Sequence, residues 1–172
     1  MPFRPLLLLL LCLPALSPAM TLVGIVSERS AAEVAAGAHQ FLEAFPDYQV
    51  VLRTPEQLAD KSDSEVVALW RDAEGVFLGA VFGDQTGRLE RLLRQQGPAA
   101  NVPLLAVNSD RRITRLSRLG GEAVLDDLSA EQLSELTANP EAGEDPGEHL
   151  AHRREQFPRQ ADWLDGRAFY QG

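Results

Sequence analysis

Short apolar runs alternate along this chain with stretches whose apolar residues recur every three or four positions. That alternation leaves few folds open. Strands separated by helices pair in parallel, and right-handed crossovers lay the helices over both faces of the sheet. Residues 22–26, 48–52, 75–82 and 102–107 read as strands. The third is almost wholly apolar, as a central parallel strand buried on both faces requires. A weaker fifth strand is predicted at 123–125.

The intervening helices carry their own start signals. Ser30 and Glu33 have capping-box spacing, ahead of Val34, Ala38, Phe41, Leu42 and Phe45 at helical intervals. Pro46 disfavours helical geometry at the residue before it. Thr54-Pro55 opens a second helix and Ser62 with Glu65 a third, which holds Val66, Val67, Leu69 and Trp70. Residues 84–96 place Leu89, Leu92 and Leu93 on one side, and Ser129 with Gln132 opens a helix over 129–137. The predicted class is α/β: a parallel sheet of four to five strands with helices on both faces. A flavodoxin-like or Rossmann-like order follows, with the first strand beside the third.

Residues 1–19 stand apart. Arg4 precedes a leucine-rich run from Leu6 to Leu13, and Ser17 and Ala19 follow as small residues. This is the three-part pattern of a secretory signal, with cleavage predicted between Ala19 and Met20. The apolar run is shorter than the ~20 residues that span a bilayer, so no membrane span is expected after cleavage. Export places the chain in the periplasm; translation from Met20 is the cytoplasmic alternative. Cleavage leaves 153 residues and removes Cys12, the sole cysteine. The mature chain then has neither a thiolate nucleophile nor a cysteine metal ligand.

The α/β domain is read as 20–138. Residues 139–147, rich in Pro, Gly and acids, read as a linker. Residues 148–172 form a helical extension split by Pro158. Trp163, Arg167 and Tyr170 fall at helical intervals beside a Leu164–Ala168 stripe. This is more apolar surface than a terminal surface helix needs. The extension therefore reads as the start of a further domain, with Trp163 and Tyr170 lacking full core contacts with 20–138.

A net charge of −9 argues against nucleic acid as a partner, because phosphates require a basic face. Charge is unevenly spread: Arg111, Arg112, Arg115 and Arg118 cluster, whereas nine acids and no Lys or Arg occupy 122–148. Ligands of doubly wound sheets sit beyond the C-terminal strand ends. Ser27, Arg29, Asp84, Asn108, Arg111 and Arg112 gather at those ends and are the candidate ligand-binding residues. No catalytic residue is assigned. The first loop lacks G-x-G-x-x-G, and no P-loop or G-x-S-x-G elbow occurs. His149 and His152 lie one turn apart without a third ligand at a familiar spacing, so they read as surface histidines and no metal is assigned.

Several stretches resemble the start of CobN-type proteins, the large subunits of cobaltochelatase, related to the H subunit of magnesium chelatase. They are Gly24-Ile-Val-Ser-Glu-Arg29 with Ala35-Ala-Gly-Ala-His39, Val51-Leu-Arg-Thr-Pro-Glu-Gln-Leu58, Ala73-Glu-Gly-Val-Phe-Leu-Gly-Ala-Val-Phe-Gly-Asp84, Asp110-Arg-Arg112 with Arg115-Leu-Ser-Arg-Leu119, and Trp163-Leu164 with Arg167-Ala-Phe-Tyr-Gln171. The resemblance implies a link to cobalamin biosynthesis and to metal insertion into a corrin or other tetrapyrrole. It implies cobalt and ATP through other regions or separate ATPase subunits, not through a cofactor of this chain. Its implied partners are the remaining CobN-like body, chelatase subunits and a tetrapyrrole. The CobN-type body is much larger than this chain, so no catalytic residue carries over, and a free-standing periplasmic binding module is the alternative. Purified residues 20–172 are accordingly expected not to insert metal into a corrin, even with ATP and partner subunits. Metal-dependent spectral change of the corrin above the protein-free rate would contradict this.

Overall fold

A computed structural model describes residues 20–171, with side chains described through Ala168. The signal predicted at 1–19 and the side chain of Tyr170 lie outside the described residues. The architecture is α/β. In chain order the elements are β1 (Met20–Val26), α1 (Glu28–Ala44), β2 (Tyr48–Arg53), α2 (Pro55–Ala59), α3 (Asp63–Trp70), β3 (Gly75–Gly79), α4 (Thr86–Gln96) and β4 (Leu104–Val107). There follow α5 (Arg111–Thr114), β5 (Arg118–Leu119), β6 (Glu122–Ala123), α6 (Ala130–Leu136), α7 (Pro146–Gln156), a 3₁₀ turn (Pro158–Gln160) and α8 (Ala161–Gln171).

The strands form one six-stranded sheet in the order β2-β1-β3-β4-β5-β6. β1 lies beside β3, and β2, β1, β3 and β4 are parallel. The sheet is nonetheless mixed, which corrects the wholly parallel expectation: β5 and β6 are antiparallel additions. The fifth strand predicted at 123–125 is instead this pair of two-residue strands. Its connection from β4 holds only the one-turn α5 and is shorter than the dozen or so residues a parallel crossover needs.

Alternation along the strands divides the core. Val23, Ile25, Val76, Leu78, Leu104 and Ala106 face α3 and α4, where Trp70, Leu89 and Leu92 are fully buried. The Trp70 indole donates to the carbonyl of Gln96 at 2.9 Å, satisfying an acceptor at the end of α4. Asp63 clamps the two helices, accepting from Arg88 at 2.8 Å and Arg91 at 3.0 Å. Arg88 first, then Arg91, holds its carboxyl below the ordinary carboxylate value. On the opposite face Val107, Phe77 and Leu105 meet Leu133, Leu136, Phe157, Trp163 and Leu164.

Helix starts follow local hydrogen bonding. Thr54, Ser62 and Ser129 form complete capping boxes with Gln57, Glu65 and Gln132. The first helix differs from the prediction: Ser27 caps it and it begins at Glu28, one turn before the Ser30 box. It covers the edge of the sheet, and its apolar side is only half-buried. Phe41, Phe45 and Tyr48 close that end as an aromatic cluster, with Phe41–Phe45 centroids 4.8 Å apart.

The extension departs most from expectation. Trp163 is 0% exposed. Its indole donates at 3.1 Å to the carbonyl of Ala106 and at 3.1 Å to Ser117 Oγ. Ser117 Oγ also accepts from the Ala106 N–H at 3.0 Å. β5 pairs with β4 only at Leu104–Arg118, so Ala106 finds no strand partner on that side. Two side chains satisfy its buried backbone groups instead. Close packing seals the contact: a Cβ at Gly166 would stand 2.8 Å from Leu105 Cδ2. Trp163 thus has core contacts with 20–138, contrary to the prediction. Trp163→Ala is expected to destabilise the chain by about 3–5 kcal/mol, as core aromatic truncations do. Ser117→Ala should cost about 1–3 kcal/mol by leaving the Ala106 N–H unsatisfied. Urea unfolding of the two variants checks both values.

Candidate functional site: the crevice at the strand ends

β3 and β4 both end on a left-handed residue, Ala80 (φ 54°) and Asn108 (φ 47°). Asn tolerates this conformation, whereas Ala adopts it at a cost of about 1–2 kcal/mol. β3 consequently stops at Gly79, short of the predicted 82. The two following loops are tied together. Val81 N–H donates to Ser109 Oγ at 3.0 Å, and Asp110 N–H donates to the Val81 carbonyl at 2.9 Å. Gly83 is also left-handed (φ 83°), and between Val81 and Gly83 the ring of Phe82 stands 57% exposed.

Strand order reverses between β1 and β3, so the crevice opens beside these loops. Two cavities occupy it. One, of about 490 Å³, is lined by Phe82, Asn108, Ser109, Asp110, Arg111 and Arg167, among others. The other, of about 620 Å³, includes Ser30, Glu33, Asn108, His149, Arg153 and Arg167. Both lie within the range of about 300–1,000 Å³ common for small-molecule sites. Asn108 and Arg167 belong to both walls.

Arg167 reaches the crevice from α8 because Trp163, one turn earlier, anchors that helix on β4. It is 7% exposed. Its guanidinium donates to the carbonyls of Leu136, Thr137 and Ala138 and to Asn139 Oδ1, at 2.8–3.3 Å. It thereby caps the C-terminal end of α6, where backbone acceptors and the helix dipole favour a cation. No carboxylate pairs with it among the described residues. Burial, and then the charge of Arg153, lowers its pKa from the usual arginine value. An arginine still stays protonated at neutral pH, so its charge is buried and met only by dipoles.

The other cations differ in how far they are neutralised. Arg111 donates only to Ser134 Oγ, at 3.3 Å. Arg112 turns away to Asp110, with Nε at 3.1 Å and Nη2 at 3.3 Å from its carboxylate. Asp110 raises the pKa of Arg112, while that of Asp110 is lowered, first by the Arg112 side chain. Arg153 pairs with Glu135 at 3.2 Å. His149 Nδ1 lies 2.9 Å from Glu144 Oε2, which also accepts the Glu141 N–H at 2.9 Å. The Glu141 N–H first, then His149, lowers the pKa of Glu144. The side chain of His149 is only 12% exposed, so it is not the surface histidine predicted. Its Nε2 and Arg153 Nε are buried without a hydrogen-bond partner among the described residues.

Of the six candidates, Asn108 and Arg111 line the cavities. Arg112 is engaged by Asp110. Ser27 caps α1, its hydroxyl accepting from the Ser30 N–H at 3.4 Å. Arg29 and Asp84 are exposed at the strand ends, outside the described cavity linings. The sequence reading gave no binding role to Arg167, Arg153, His149 or Phe82. Arg167 had a signal: it falls four residues after Trp163, on the same helical face as a core aromatic. Among the described residues no group of three or more His, Cys, Asp or Glu is placed to hold a metal ion. No helix among them is long and apolar enough to cross a membrane.

Chemically, the crevice offers two guanidiniums without an acid partner, an amide and an exposed aromatic ring. That set suits an anion, above all a carboxylate. No protein-family model, curated protein or solved structure matches the chain. Arg167→Met should leave the α6 carbonyls unsatisfied and lower stability by about 1–3 kcal/mol. Arg167→Lys should recover part of that loss. Chemical denaturation of the two variants checks the order.

Proposed function

We propose that this chain is the N-terminal region of an exported, CobN-like protein, and that its role is to hold a carboxylate-bearing corrin or other tetrapyrrole. In this reading the α/β region is a flavodoxin-like binding domain rather than a catalyst. Metal insertion, with cobalt as substrate and ATP as the energy source, belongs to other regions or partner subunits. One observation carries the binding role. Arg111 and the buried Arg167 meet at a strand-end cavity with no carboxylate partner among the described residues. A ligand carboxylate would accept from Arg111, a charged hydrogen bond that contributes about 1.5–3 kcal/mol, while Arg167, whose Nη groups already donate to the 136–138 carbonyls and Asn139, would act through its charge alone. Asn108 adds a neutral donor and acceptor between the two cavities.

The full burial of Trp163 favours a second reading. The extension fills its own docking surface on β4, as a free-standing periplasmic binding module would require.

The test is calorimetric titration of residues 20–172 with a carboxylated porphyrin and with its fully amidated counterpart. The free acid is expected to bind and the amide to bind much more weakly. Arg111→Ala should weaken acid binding by about ten- to a hundredfold, the worth of one charged hydrogen bond. Arg112→Ala should have a smaller effect, because Asp110 already occupies that guanidinium. Equal binding of acid and amide would remove the carboxylate from the account.

A further inference from the structure

Phe82 is the one large aromatic ring exposed in the crevice among the described lining residues. A singly exposed apolar residue is ordinary on a protein surface. Its setting here is not. The backbone around it takes left-handed geometry at Ala80 and at Gly83. The loop is then fixed to its neighbour through Val81 N–H to Ser109 Oγ and Asp110 N–H to the Val81 carbonyl. The apolar residues next to it follow the opposite course, since Val81 and Leu78 are fully buried. A tied, strained turn therefore holds one ring out of the core, on the wall of a cavity that also presents Arg111 and Arg167.

From this juxtaposition we infer that Phe82 is a stacking platform, and that the crevice selects planar, conjugated acids over aliphatic acids of equal charge. The inference rests on the reading that the crevice binds carboxylates, and adds the shape and electronic character of the body that bears them. A flat π-system can lie against the Phe82 ring in offset or edge geometry while its carboxylate meets Arg111. A puckered aliphatic ring keeps the charge contact and loses the stacking. Phe82 is thus a specificity residue; the arginines supply the attraction for acid, and Phe82 discriminates among acids.

Terephthalate and trans-cyclohexane-1,4-dicarboxylate separate the two contributions, because they match in charge and closely in size but differ in planarity. Each is titrated by NMR into residues 20–172, into Phe82→Ala and into Phe82→Trp. The wild-type chain is expected to favour terephthalate by about tenfold, the scale of one well-made aromatic contact. Phe82→Ala should abolish that preference by weakening terephthalate about tenfold more than cyclohexanedicarboxylate, and Phe82→Trp should restore it. Thermal unfolding of Phe82→Ala should match wild type, since the ring is exposed. Equal binding of both acids by the wild-type chain overturns the inference and leaves the carboxylate reading standing. A Phe82→Ala variant that weakens both acids alike, or neither, also overturns it. If neither acid binds the wild-type chain, the carboxylate reading falls and the inference falls with it.

Discussion

The backbone of Ala106 is the point on which the rest of this structure depends. β4 is an interior strand on one side and nearly an edge on the other, because β5 is only two residues long. A buried N–H and C=O without partners would each cost on the order of 1–3 kcal/mol. Ser117 bonds to both groups and Trp163 donates to the carbonyl. A loop residue and a helix 57 positions away thereby replace the missing strand. The same contact fixes α8 over Leu105, Val107 and Leu119, and so sets where Arg167 lies.

From that anchor the crevice follows in short steps. Trp163 sets the rotation of α8, and Arg167 then points at the end of α6. Capping three successive carbonyls there keeps a buried guanidinium solvated by dipoles while leaving its charge uncompensated. Across the cavity, the left-handed turns after β3 and β4 set Phe82, Asn108 and Arg111 on the facing wall. Arg111 and Arg167 stand here without acid partners in a chain of net charge −9.

Much of the fold is legible in the sequence, for identifiable reasons. The apolar runs of β1, β2 and β4 and the helix starts at Thr54, Ser62 and Ser129 rest on local chemistry, and local chemistry decides them, whereas the box expected at Ser30–Glu33 gives way to Ser27 as the cap of α1. The early end of β3 was not legible, since nothing in the apolar run continuing through Val81 and Phe82 shows that Ala80 turns left-handed. The β5–β6 pair was read only as one weak strand at 123–125, because two-residue strands leave no periodic signal. Trp163 was misread because an acidic, Gly- and Pro-containing stretch at 139–147 suggested separation. That stretch runs as a turn stabilised by Glu144, which accepts from Glu141 and pairs with His149, and the chain returns to the sheet beyond it. At the site, strand-end logic found Asn108 and Arg111. It missed Arg167, whose position depends on tertiary docking of a helix rather than on loop sequence.

The central claim is that α8 is part of the structural unit that builds the crevice. Hydrogen exchange of residues 20–172, followed at the Trp163 indole N–H, the Ala106 amide and the amides of β1 and β3, tests it most directly. The Trp163 indole and the Ala106 amide are expected to exchange only in the slow unfolding event that also exposes β1 and β3. Fast exchange at Trp163 and Ala106 while the β1 and β3 amides stay protected would contradict it.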